Sequence, residues 1–186
     1  AWNRIWSKTK ILSEFDLSKI PYQDFDFIDF KFINDFNAKI IQKQNFKLES
    51  YYDGKIQSKL DFVYSSNKIT LESFHRNGNL KHVTSTRDGL LHGECIKWYA
   101  NGNRQEIVDY RDNKTKIKKT YFESGEQQMT ENYNEEGHSI SVIRWYENGQ
   151  IAFEIDEEGK SFSYSLSGTL TSKGVRVGDV NNGGYA

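Results

Sequence analysis

Trp98-Tyr99-Ala100-Asn101-Gly102 is the stretch that decides the fold of this chain, because its pattern returns along most of the sequence. The pattern is a pair of aromatic residues, then a polar turn, then a glycine. It occurs at residues 51–54, 74–78, 98–102, 121–125 and 145–149. The final glycines of these segments are separated by 24, 24, 23 and 24 residues, and a fixed period of this length indicates a repeat architecture.

The turn chemistry predicts that each repeat is a β-hairpin. Asn-Gly between alternating apolar runs is a strong hairpin signal, since both residues tolerate the positive φ that a type I′ turn requires. We therefore predict type I′ turns at Asn77-Gly78, Asn101-Gly102 and Asn148-Gly149. A second and looser turn follows half a period later at Asp88-Gly89, Asp112-Asn113, Glu136-Gly137 and Glu158-Gly159. One repeat then supplies two short strands.

The segments between the turns have the alternation of half-buried strands, as at residues 106–110, 129–133 and 151–155. Successive side chains on a strand point to opposite faces, so the paired aromatic residues separate into two columns. The first column holds Tyr51, Phe74, Trp98, Tyr121 and Trp145, and the second holds Tyr52, His75, Tyr99, Phe122 and Tyr146. We expect one column to line the core or concave face and the other to be half exposed.

Composition favours a thin sheet over a thick two-sided core. Only 36% of the residues are apolar and the mean hydropathy is −0.78, whereas aromatic residues make up 15%. Aromatic side chains bury about 150–250 Å² each, so rows of them can hold a thin sheet together. The predicted fold is all-β, an elongated single-layer antiparallel sheet of tandem hairpin repeats of about 24 residues, with N- and C-terminal caps.

The predicted organisation has three parts: an N-terminal cap segment at 1–45, hairpin repeats at 46–160, and closing strands with a flexible tail at 161–186. Residues 24–32 alternate charged and aromatic side chains, which predicts a strand that covers the first open sheet edge. The alternative for this stretch is an acidic aromatic face for a basic partner. At the other end, residues 162–166 and a weak strand around Val175 are predicted to close the sheet, and residues 181–185 to form the tail.

The repeat resembles the bacterial MORN-variant repeat, which occurs in proteins of the YwqK antitoxin family. The resemblance covers about residues 46–160 and rests on the aromatic pair with Asn-Gly, the second turn about eleven residues later, and a glycine such as that in His92-Gly93. It implies stacked hairpins that make protein contacts or, in some members, membrane contacts. The sequence departs from the repeat pattern in two places. Asp112-Asn113 replaces the glycine of the second turn, and residues 60–69 keep the spacing but lose most of the motif. The first repeat is thus degenerate, and terminal repeats are often atypical because they cap the stack.

Chemical motifs are sparse, and we predict neither an enzyme nor a cofactor or metal site. The four histidines are scattered, and the one His-x-x-Cys pair, His92 and Cys95, has no second pair to complete the four ligands of a zinc site. Nucleotide-binding and nucleophile motifs are absent from the sequence. The formal net charge is −1 without a clustered basic face, so nucleic acid is not expected as a partner and a membrane surface is disfavoured.

The sequence therefore favours a protein-binding module, since a few Trp and Tyr residues can carry most of the affinity of an interface. The resemblance to antitoxins implies that the chain binds and blocks a partner protein, which could be a toxin, in the cytoplasm. The alternative is a secreted or cell-envelope structural repeat protein, which is suggested by the absence of an initial Met. The predicted partner-binding residues are Trp98, Tyr99, Tyr121, Phe122, Trp145 and Tyr146.

Overall fold

A computed structural model describes residues 45–175. The chain divides into two compact units, residues 1–93 and 94–186. In the described part every strand is antiparallel to its neighbours, and one short 3-10 turn, Tyr64–Ser66, is the sole helical element. The prediction of an all-β fold of antiparallel hairpins is confirmed. The predicted N-terminal cap, apart from Asn45, and the C-terminal tail lie outside the described residues.

The first unit contains a four-stranded path in chain order, β1 to β4, with the two-residue β5 paired to β4. The bounds are β1 Phe46–Tyr52, β2 Lys55–Val63, β3 Lys68–Phe74, β4 Leu80–Arg87 and β5 Leu90–Leu91. Buried and half-exposed positions alternate at residues 58–63 of β2, 69–74 of β3 and 82–86 of β4. One face of this sheet is therefore buried, and the other carries polar side chains such as Lys59 and Glu72.

The second unit contains a meander of antiparallel strands in chain order, from β6, which begins at the unit boundary, to β13. The bounds are β6 Gly93–Trp98, β7 Arg104–Arg111, β8 Lys114–Tyr121, β9 Gln127–Tyr133, β10 Ser139–Trp145, β11 Ile151–Ile155, β12 Lys160–Tyr164 and β13 Leu170–Val175. Each repeat contributes two strands, as the period predicted. The strands predicted at residues 106–110, 129–133 and 151–155 lie in β7, β9 and β11.

Three of the four buried side chains in the described part of the second unit come from one row across the sheet. Val108 lies opposite Lys118, Glu131 lies opposite Lys118 and Val142, and Val142 lies opposite Ile155. The apolar members of this row, together with Cys95, are the buried hydrophobic residues of the described second unit. Two charged residues thus sit in the middle of a row whose ends are aliphatic.

The turn prediction was wrong in its assignment of types. Asn77, Asn101 and Asn148 are not among the residues with positive φ, and only the following glycine has it, at +94° in Gly102. Gly102 N donates to Tyr99 O and Tyr99 N donates to Asn103 O, which is the pattern of a type I turn closed by a glycine bulge. The Asn side chain instead accepts a hydrogen bond from the backbone N two residues on, as Asn101 Oδ1 does from Asn103 N at 2.9 Å.

Type I′ geometry occurs at three other two-residue turns. Both central residues have positive φ at Asp53-Gly54, Asp88-Gly89 and Asp112-Asn113. The last of these shows why the glycine of the second turn can be lost, since Asn tolerates left-handed backbone. The apparent departure at Asp112-Asn113 therefore keeps the turn.

Candidate functional site

The aromatic pairs lie where hairpin strands meet their type I turns. Trp98, Tyr121 and Trp145 end β6, β8 and β10, whereas Tyr99 and the equivalent Phe122 and Tyr146 are the first residues of the turns that follow. Strands in a sheet are about 4.8 Å apart, so equivalent rings two strands apart are separated by about 10 Å and do not stack directly. All six predicted binding residues are half-buried.

Two of the turn tyrosines connect their hairpin to the next one. Tyr99 OH donates to Tyr121 O and Tyr146 OH donates to Tyr164 O, each at 2.9 Å. The turn amides make parallel links, since Asn101 Nδ2 donates to Glu123 O at 2.9 Å. Tyr99 and Tyr146 of the second aromatic column therefore have a structural role between repeats.

The intervening repeat lacks this hydroxyl, because Phe122 occupies the position of Tyr99 and Tyr146. We expect Tyr99→Phe to lower the free energy of unfolding by about 1 kcal/mol, the usual net contribution of one hydrogen bond. Phe122→Tyr should raise it by up to about 1 kcal/mol, because a hydroxyl would reach the carbonyl of the following repeat. Urea denaturation followed by circular dichroism measures both changes, and equal stability of Tyr99→Phe and wild type would contradict the link.

A shallow groove of about 270 Å³ opens in the second unit beside these residues. It is lined by Lys97, Tyr99, Gln105, Glu106, Thr120, Tyr121 and Gln128. Of the predicted binding residues, the structure brings Tyr99 and Tyr121 together in this groove. Trp98, Phe122, Trp145 and Tyr146 do not line it.

Charged side chains on the sheet form a paired network at one side of the groove. Glu106 Oε1 lies 3.0 Å from Lys97 Nζ, and Glu106 Oε2 lies 3.0 Å from Lys118 Nζ. Burial alone would raise the pKa of Glu106, but the hydrogen bonds and charges of Lys118 and Lys97 outweigh it and hold that pKa below its usual value. The carboxylate is therefore ionised at neutral pH.

The network continues on the neighbouring strand. Glu131 lies directly opposite Lys118 and accepts a hydrogen bond from Tyr133 OH at 2.7 Å. Burial, followed by the bond to Glu131 and its charge, raises the pKa of Tyr133 well above its usual value. The phenol consequently stays protonated over the physiological range and acts as a hydrogen-bond donor, not as a base.

This arrangement is suited to recognition. An ammonium group has three donors, and Glu106 takes one from each of its lysines, so Lys97 and Lys118 retain donors for a partner's carbonyl or carboxylate oxygens. Tyr99 and Tyr121 supply apolar ring surface beside them. Within residues 45–175, no group of three or more His, Cys, Asp or Glu side chains could hold a metal ion, and no helix is long and apolar enough to cross a membrane.

The groove's polar residues were missed by reasoning from the sequence. Lys97 and Glu106 belong to different strands, and Lys118 to a third, so their proximity depends on the strand register. That register includes a β-bulge between Asp109 and Tyr110, which shifts the pairing by one residue. The spacing of Lys114, Lys116 and Lys118 does not identify which of them meets Glu106, because the bulge skips Lys116 in the pairing.

A second groove, of about 550 Å³, opens in the first unit at the corresponding end of its hairpins. It is lined by Asp53, Lys55, Ile56, Gln57, Phe74, His75 and Arg76. Lys59 Nζ lies 5.3 Å from the centre of the Phe74 ring, within the range of a cation–π contact. Each unit thus has an open groove beside one aromatic pair of the repeat.

Comparison with known proteins identifies one repeat. A sequence profile described as "MORN repeat variant" matches residues 91–112, which contain all of β6 and β7 and the turn between them. Repeats of this kind are generally modules that bind proteins or membranes. Among curated proteins, none matches the sequence significantly.

Solved structures of TarM share a weak likeness with the chain. One TarM crystal structure has a TM-score of 0.34 and 14% identity over 74% of this chain and 24% of that chain. A mutant of S. aureus TarM in complex with fondaparinux, α-GlcNAc-glycerol and UDP has a TM-score of 0.25 and 11% identity over 80% of this chain and 23% of that one. This chain thus spans about a quarter of the TarM chains, and at these TM-scores the likeness carries no argument.

Proposed function

We propose that this chain is a non-catalytic protein-binding module whose site in the second unit is the groove between Tyr99 and Tyr121. The observation that supports this most directly is the open groove of about 270 Å³, in which two half-buried rings lie beside a paired Lys-Glu-Lys cluster. Tyrosine is among the residues that are enriched at interface hot spots. The MORN-variant match at residues 91–112 adds support, since it covers one wall of the groove.

The finer proposal is an antitoxin or immunity protein that acts in the cytoplasm by covering the active site of a partner toxin. The resemblance of the repeats supports it. The groove is too open to enclose a small-molecule substrate. An open groove of this kind suits contact with the surface of another protein. A partner would place a carbonyl or carboxylate oxygen near Lys97 and an apolar side chain between the tyrosine rings.

Affinity capture with the full chain, followed by calorimetric titration of the purified partner, tests the binding site. We expect Tyr121→Ala to weaken binding at least tenfold, because it removes one of the two aromatic rings that line the groove. Circular dichroism checks that the variant keeps the wild-type fold. Ile117→Ala is the matched control, because this exposed residue of the same strand β8 lies on the opposite face from Lys118. Equal affinities of wild type and Tyr121→Ala would exclude the groove.

Growth of cells that express the captured partner, with and without this chain, tests the antitoxin role separately. Rescue of growth by wild type and its loss with Tyr121→Ala would support a blocking function. If the captured partner binds through the same groove but is not toxic, the proposed protein-binding function is supported and the proposed antitoxin role is excluded.

A further inference from the structure

The first unit contains a groove of its own, at the end of the sheet where the β1–β2 turn lies and β3 ends. Its volume is about 550 Å³, within the range of about 300–1,000 Å³ that is usual for ligand sites. Four of its lining residues are exposed and polar, namely Asp53, Lys55, Gln57 and Arg76, and three are half-buried, namely Ile56, Phe74 and His75. The groove therefore combines apolar surface with polar groups that a partner can reach.

The backbone of this groove is fixed by a hydrogen bond between two hairpins. Lys55 Nζ, at the start of β2, donates to Arg76 O, in the β3–β4 turn, at 3.3 Å. The equivalent carbonyl of a later repeat, Glu123 O, instead accepts from the side-chain amide of Asn101. The lysine thus takes the place of the linking asparagine, and this link holds its ammonium group beside the turn that carries Arg76.

The two cations of the groove have hydrogen-bond donors that the fold does not use. Lys55 spends one of the three donors of its ammonium group on Arg76 O, and the Arg76 guanidinium has five. Within residues 45–175, no carboxylate forms an ion pair with either side chain. The lining carboxylate of Asp53 offsets one of the two positive charges, so the groove keeps a net positive charge. Its chemistry therefore suits an anionic group.

The positive charge at the turn distinguishes this repeat from the later ones. Arg76 is the residue that follows the pair Phe74-His75, and the residues at the same position of the later repeats are Ala100, Glu123 and Glu147. All four are exposed. The link between hairpins uses the backbone carbonyl at this position, so the Arg76 side chain is left for contact with a partner.

We propose that the groove of the first unit binds an acidic segment of a partner protein. A carboxylate of the segment pairs with Arg76 and Lys55, since a planar guanidinium matches a carboxylate with two parallel hydrogen bonds. A neighbouring apolar side chain packs on the accessible part of the Phe74 ring. Gln57 and Asp53 offer acceptors to backbone N–H groups of the segment. This contact is a second one, independent of the groove proposed as the site of the second unit.

Charge complementarity favours a peptide over a nucleic acid in this groove. A nucleic acid strand carries a phosphate at every nucleotide, and Asp53 would repel the phosphates that do not lie on Arg76 and Lys55. An acidic protein segment can place one carboxylate on the cations and turn uncharged backbone toward Asp53. The formal net charge of the whole chain, −1, likewise gives no general attraction for a polyanion.

Fluorescence anisotropy of the full-length chain with a fluorescein-labelled hexapeptide that alternates glutamate and leucine tests the proposal. We expect saturable binding at least tenfold tighter than that of the same peptide with glutamine in place of glutamate. Arg76→Glu should weaken binding of the glutamate peptide at least tenfold, because it reverses a charge in the groove. Arg87→Glu is the matched control, since it changes the net charge equally at the exposed far end of β4, about 20 Å away. It should change the affinity less than twofold.

Equal binding of the two peptides, no saturable binding of the glutamate peptide by wild type, or equal effects of the two arginine variants would overturn the proposal. Tighter binding of labelled oligothymidylate than of the glutamate peptide would also overturn it, because the groove would then belong to a nucleic acid. Circular dichroism checks folding, and Arg76→Gln, expected to weaken binding at least threefold, replaces Arg76→Glu if charge reversal perturbs the turn.

Tyr121→Ala separates this proposal from the proposed function. The variant should bind the glutamate peptide as wild type does, because Tyr121 belongs to the groove of the second unit. Loss of peptide binding in Tyr121→Ala but not in Arg76→Glu would assign the peptide to that groove and overturn the inference. Failure of the peptide to bind would leave the capture experiment on the second unit unaffected, so the two proposals can fail separately.

Discussion

Replacement of Phe62 with alanine is expected to lower the free energy of unfolding by about 3–5 kcal/mol, the usual cost of deleting a fully buried phenylalanine. Phe62 has no exposed surface and packs edge-on against Tyr64, with ring centroids 6.5 Å apart. The loss combines the hydrophobic transfer of the ring with the cavity that it leaves. The total free energy of unfolding of a native protein is about 5–15 kcal/mol, so this single substitution removes a large share of it.

Urea denaturation followed by circular dichroism measures this loss, with Phe62→Leu as a milder variant that retains most of the volume. Val63→Ala is the matched control, because Val63 is the next residue of β2 and lies half-exposed on the opposite face. We expect the control to lose no more than about 1 kcal/mol. Equal effects of the two alanine variants would contradict a buried face in the first unit.

Glu106→Ala is expected to lower the free energy of unfolding by about 2 kcal/mol at pH 7, because it deprives two ammonium groups of their shared partner. Hydrogen bonds to charged groups contribute about 1.5–3 kcal/mol each when buried. We expect less than the sum of two such bonds, because the side chains of Lys97 and Lys118 are 45% and 34% exposed and solvent screens their interaction with Glu106. Glu158→Ala is the control, since its pair with Lys160 joins side chains that are 71% and 54% exposed and should contribute little.

The pH dependence of Glu106 has a defined sign. Its pKa in the folded protein is lowered, so the carboxylate contributes stability above the pKa of the unfolded chain, and that contribution is lost as the pH falls through the folded value. Wild type should therefore lose more stability than Glu106→Gln between neutral pH and the acid range below pH 4.5. Identical pH profiles of the two proteins would show that the two lysines do not stabilise the ionised carboxylate.

The repeat period was sufficient to predict the strands, because hairpins are local structures. Residues 98–102 and their equivalents specify where each strand ends, and the alternation between them specifies which residues share a face. The turn types were harder to predict from the sequence. Asn101 is selected because its side chain caps the backbone of Asn103, whereas the sequence rule attributes Asn-Gly to positive φ at both residues.

The candidate site could be predicted only in part. Tyr99 and Tyr121 are conspicuous in the repeat, and the structure places both in the groove. Their polar neighbours Lys97, Glu106 and Thr120 are ordinary strand residues whose meeting depends on bulges and register. The role of Trp98 and Trp145 as partner contacts remains a prediction.

The sequence by itself determined the all-β hairpin architecture, because turn chemistry and two-residue alternation act within a few residues of each other. Tertiary structure alone decided which charges pair, because a one-residue bulge changes the partner of every following residue. It also decided the unequal burial of the sheet. Alternation in β2 and β3 marks one side as inward, but it does not show that Phe62 and Leu71 are fully buried while Lys118 and Glu131, in the inward row of the second unit, stay half-exposed, because burial depends on what packs against each face.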